Sequence, residues 1–132
     1  VFYVLWERKK IDPAEVDLRF FKILLIICYS FLFAVPEEIF FRGVIQTYLF
    51  SFIYNPILAI AFSSLIFGMA HIFNGATGLN PERWNWKLVG TAIIGGVPLG
   101  WLYYLTQSLL FPTLLHMLYL VTFQLFLSPK KF

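Results

Sequence analysis

"LLIICYSFLFAVPEEIFFRGVIQ", residues Leu24 to Gln46, decides how this chain folds. Twelve residues without a charge lead into a proline, two adjacent glutamates and, four positions later, an arginine, after which the apolar character resumes. A charged side chain near the middle of a bilayer costs roughly 3 kcal/mol on insertion scales. Glu37, Glu38 and Arg42 therefore need partners, water or an interfacial position, and the question is which.

The surrounding sequence identifies the solvent. Of 132 residues, 60% are hydrophobic and 20% aromatic, and the mean hydropathy is +0.78, far from average soluble composition. No charged residue lies between Arg42 and Glu82, or between Lys87 and Lys130. Each block can hold a pair of spans of about 20 residues. The expectation is an integral, multi-pass membrane protein of the cell membrane, all-α, in contact with lipid. The basic residues Arg8, Lys9 and Lys10, which follow Glu7, and Arg19, Lys22, Lys130 and Lys131 flank apolar stretches, which suits a membrane surface and gives no reason to expect nucleic acid. Cys28 is the single cysteine, so no disulfide framework or zinc knuckle is possible, and it reads as a small apolar filler.

Asp12-Pro13-Ala14-Glu15 has the form of a capped helix start and predicts a first helix from Pro13 to Val35. Pro36 is expected to break it and to open a second helix from Glu37 to Ile53. Asn55-Pro56 repeats the start signal and predicts a third helix ending near Phe73. After the polar connection Asn74 to Lys87, with Trp84 and Trp86 at headgroup level, a fourth helix is expected from Leu88 to Leu105 and a fifth from Pro112 to Leu127. Gly96 and Gly100 have the spacing that lets helices approach closely. The reading is one transmembrane helical domain over 1–132, about five helices, a fragment of a larger bundle, with 1–12 as the end of an upstream span and a polar linker. Five alternating helices put the two basic ends on opposite sides of the membrane.

Glu38 and Arg42 are one turn apart in the favourable order for an ion pair, and Glu37 points about 100° away. The alternative is that both glutamates complement the positive end of a helix dipole while Arg42 reaches the headgroups. His71 and His116 are the only histidines, each inside an uncharged helical stretch. Brought together with Glu37, they can bind a divalent metal or activate a water without one. His71 is followed by Ile-Phe-Asn-Gly and His116 by Met-Leu-Tyr-Leu, which rules out an H-E-x-x-H zinc motif. Asp12 and Asp17 precede the core spans, and Ser63 and Ser64 lack a Gly-x-Ser-x-Gly setting. A glutamate-centred site survives this elimination. A proton-conducting relay through Glu37, His71 and His116 is the non-hydrolytic reading of the same residues.

These motifs resemble a known family. "EEIFFR" is similar to the E-E-x-x-x-R motif of the CAAX prenyl protease and bacteriocin-processing family of intramembrane glutamic endopeptidases. "FGMAH", with Phe67 and His71, is similar to its F-x-x-x-H, and His116 to the start of its H-x-x-x-N or H-x-x-x-D. The resemblance covers roughly residues 30 to 125. It implies hydrolysis of a peptide bond in a membrane-associated, lipidated peptide or protein, without a metal or other cofactor. In that scheme Glu37 and His71 activate the water, Glu38 and Arg42 hold Glu37, His116 helps stabilise the oxyanion and Phe67 shapes the substrate pocket. One departure stands out: Leu120 occupies the position of the usual Asn or Asp, which implies low activity, no activity, or another donor, for which Asn74 and Gln124 are the candidates. The alternative it raises is an inactive relative that binds peptides as an immunity or scaffold protein.

Overall fold

A computed structural model describes residues 13–73 and 84–127. The expected upstream span and linker, the Asp12 cap, Asn74 and the terminal lysines lie outside the described residues. Within them the protein is all-α and has no strand.

The first two expected helices are one. α1 (Pro13–Glu38) passes directly into a π-helical segment, Ile39–Gln46, and then into α2 (Thr47–Phe52). Pro36 does not end the helix. A proline removes one backbone donor and crowds one carbonyl. In an apolar medium, however, stopping a helix strands several N–H and C=O groups that water cannot satisfy, so continuation costs less. Four rods result among the described residues, where about five were expected. The glutamates sit well inside the long helix, which removes the helix-dipole explanation for them.

A single stripe explains how the long helix packs. Ile26, Ser30, Ala34, Glu38, Arg42 and Gln46 are all buried, four residues apart, while Phe20, Leu24, Leu25, Tyr29 and Leu32 on other faces are exposed. Four residues exceed one α-turn by 0.4 residue, so such a stripe drifts by about 40° per repeat. The wider π turns work against that drift where the buried residues become polar. Cys28 is exposed and does not fill a packed interior.

α3 (Pro56–Ala70) starts as expected, with Asn55 Oδ1 accepting from the Ile57 and Leu58 amides at 2.9 and 3.3 Å. It ends in a 3₁₀ turn, His71–Phe73. α4 (Trp86–Thr106) is capped by Asn85 Oδ1 on the Leu88 amide and carries Pro98 without interruption. Gln107, at φ 51°, turns the chain toward α5 (Leu110–Thr122), which continues as π-helix through Phe123–Leu127. α3 and α4 form the most extensive pairing, and α5 packs on α1 and α4. A Cβ at Gly68 would lie 2.9 Å from the Val89 carbonyl oxygen, so glycine there lets α3 and α4 meet as they do, and a Cβ at Gly96 would be tight, 3.2 Å from Ser64 and Phe67. The long helix from Arg19 to Phe52 and α4 are long and apolar enough to cross a membrane.

Candidate active site

Three rods bring the predicted polar residues to one place. The long helix supplies Glu37, Glu38 and Arg42, the C-terminal end of α3 supplies His71, and α5 supplies His116.

The two glutamates differ in what they touch. Glu38 is fully buried. Its Oε2 lies 3.3 Å from Arg42 Nε, one turn along the helix, and its Oε1 accepts a 2.8 Å hydrogen bond from His116 Nδ1. Arg42 is also fully buried, donates from Nη2 to the Gly96 carbonyl at 3.1 Å and lies with its guanidinium carbon 4.5 Å from the centre of the Phe67 ring. Burial of a charge is tolerated only with such compensation. Glu37, by contrast, is 30% exposed, and its Oε2 is 3.7 Å from Nε2 of both His71 and His116. The Glu38–Arg42 pair is linked to Glu37 through a chain of contacts, in which Arg42 lies beside Glu38, Glu38 bonds His116, and His116 faces Glu37.

Hydrogen bonding fixes the orientation of both imidazoles. His71 Nδ1 is 2.8 Å from the Phe67 carbonyl in its own helix, and a carbonyl can only accept, so Nδ1 carries the proton. His116 Nδ1 donates to the Glu38 carboxylate by the same logic. In the neutral rings both Nε2 lone pairs then face the same carboxylate oxygen, at a separation suited to a bridging proton donor and too long for a direct bond. Among the described residues no group of three or more His, Cys, Asp and Glu is arranged to hold a metal ion.

Phe67 is central to the packing. It is buried, with its ring 5.0 Å from Phe41, 4.6 Å from His71 and 5.7 Å from His116, all edge-on. It supports both histidines from beneath. Leu120 is one turn beyond His116 on α5 and offers no donor. Gln124, a further turn on, lines a groove with Lys22, Ile26 and Tyr29 of α1, so it does not replace the missing amide. Sequence reasoning missed Gln46, buried one turn beyond Arg42; a lone glutamine in an apolar run, four residues after the arginine, is the signal that points to it.

Ionisable groups that meet inside an apolar helical bundle define an intramembrane hydrolase-like centre as the class to test. The sequence model of the family described as "Type II CAAX prenyl endopeptidase Rce1-like" matches residues 19–122. The chain belongs to this family of membrane-embedded proteases, as its three motifs suggest. No curated protein and no solved structure matches it.

Proposed function

We propose that the protein is a multi-pass intramembrane endopeptidase of the cell membrane that hydrolyses a peptide bond in a membrane-associated, lipidated substrate through a glutamate-activated water. The observation that carries this reading is the meeting of Glu37 Oε2 with two imidazole Nε2 atoms, each 3.7 Å away, while the other nitrogen of each ring is tied off. Packing residues have no reason to converge in this way.

A water between these groups gives one proton to Glu37 and hydrogen-bonds His71 Nε2 with the other. Its oxygen adds to the substrate carbonyl carbon. With both water protons engaged, the scheme assigns the remaining donor role to His116 in its charged form, since Glu38 at its other nitrogen supplies the counter-charge. Protonated His116 donates Nε2–H to the developing oxyanion, which is the task left open by Leu120. Glu37 then returns its proton to the leaving amine as the C–N bond breaks. Two donors in the oxyanion hole would do better than one, so the rate is expected to be low for the chemistry. Nothing in this scheme requires a cofactor, and what supports the proposed substrate class is family membership alone.

The test is hydrolysis of a farnesylated CAAX peptide by the full-length protein in liposomes. Glu37→Gln keeps the shape and removes the base, and turnover is expected to fall by about 100 to 10,000-fold. Turnover equal to that of the wild type sinks the assignment.

A further inference from the structure

The long helix changes its winding between Glu38, which faces His116, and Gln46, which faces α4. Gln46 is fully buried, and both ends of its amide are used: Nε2 donates to the Gly100 carbonyl at 2.8 Å, and Oε1 accepts from Ser63 Oγ at 3.3 Å. One turn back, Arg42 donates to Gly96, four residues before Gly100. Thr47 closes the segment, with its Oγ1 donating to the Arg42 carbonyl at 3.0 Å and bonded to the Tyr103 hydroxyl at 2.8 Å. Three successive contacts therefore pin the end of the π-helical stretch to α4.

π-helix is rare and usually held by its surroundings. Rewinding Ile39–Gln46 as α-helix would absorb fewer residues per turn, and each residue of slip rotates one end against the other by about 100°. Glu38 could not then face His116 while Arg42 and Gln46 face α4. We infer that Gln46 is a positioning residue: its clamp on Gly100 holds the wide turns, and through Arg42 sets the Glu38 carboxylate against His116 Nδ1. Gly100 belongs to the same device, because a Cβ there would lie 2.8 Å from Gln46 Oε1. The inference deepens the reading of the Glu38–His116 pair given above and rests on it.

The experiment uses the full-length protein in lipid nanodiscs with ring-¹⁵N-labelled histidine, the His71 and His116 signals being assigned by substitution. Gln46→Leu removes the clamp, and Gly100→Ala displaces it while leaving the glutamine present. In both, the His116 nitrogens are expected to lose the signature of an Nδ1–H bonded to carboxylate, while His71, bonded within its own helix, keeps its spectrum. With the farnesylated peptide, kcat is expected to fall on the order of 10 to 100-fold with KM changed by less than about twofold. A folded variant with the wild-type His116 signal overturns the inference, as does an equal change at both histidines. If both variants fail to fold it also falls, because a positioning role requires a bundle that survives loss of the contact. A His116 response in a protein that cleaves no peptide upholds the clamp and removes the protease reading.

Discussion

The two halves of the long helix bury the same stripe but fill it with opposite chemistry. Upstream, the buried positions are Ile26, Ser30 and Ala34, and large apolar side chains such as Phe20 and Leu32 point outward. Downstream, the buried positions are Glu38, Arg42 and Gln46, and Ile39 and Phe40 point outward. Outside, the halves are alike, since both present an apolar surface suited to lipid. The difference is confined to the inner face, where small residues allow contact between helices and polar ones specify a single arrangement. Ser30 shows the transition: its hydroxyl bonds its own helix at the Ile26 carbonyl, 2.8 Å away, and asks nothing of a neighbour. Arg42 and Gln46 reach across to α4.

The contrast breaks most sharply at Arg42. Arg42→Leu leaves Glu38 buried without its cation and is expected to cost about 3–5 kcal/mol, read as loss of folded protein in detergent melting. The double change Glu38→Leu with Arg42→Leu should cost less than either change alone, which separates an unpaired charge from lost packing. A smaller effect is expected upstream, where Ala34→Leu forces a larger side chain into a closed contact at about 1–3 kcal/mol by the same measurement. On the facing helix, Leu120→Asn restores an amide beside the polar half and should raise peptide hydrolysis about tenfold, less than a native oxyanion donor contributes. Least of all, Leu32→Ala on the outer surface is expected to change stability by under about 0.5 kcal/mol. A large loss there would mean that this surface is covered.

Much of this architecture is legible in the residues themselves. The Asn55-Pro56 start, the glycine spacing on α4 and the Glu38–Arg42 pair depend on neighbours within one turn, and local rules reach that far. Pro36 misleads because its effect is decided by the medium: the rule that breaks helices in water yields to the demand that every backbone group be satisfied in lipid. The convergence of Glu37, His71 and His116 follows motif order, so their meeting could be expected. Which glutamate His116 touches could not, since that depends on the rotation of two helices 78 residues apart in sequence. Gln46 is marked by its place four residues after Arg42, but what it does there is not. Its role lies in the winding of the backbone, and no side-chain pattern announces a π-helix.

The uninterrupted passage through Pro36 also bears on sidedness. If the long helix, α3, α4 and α5 each traverse the bilayer once, the number of traversals is even, and the chain returns to the compartment it left. The start of the long helix, near Arg19 and Lys22, and the end of the helical segment that follows α5 then lie at the same face of the membrane, where an odd number would set them at opposite faces.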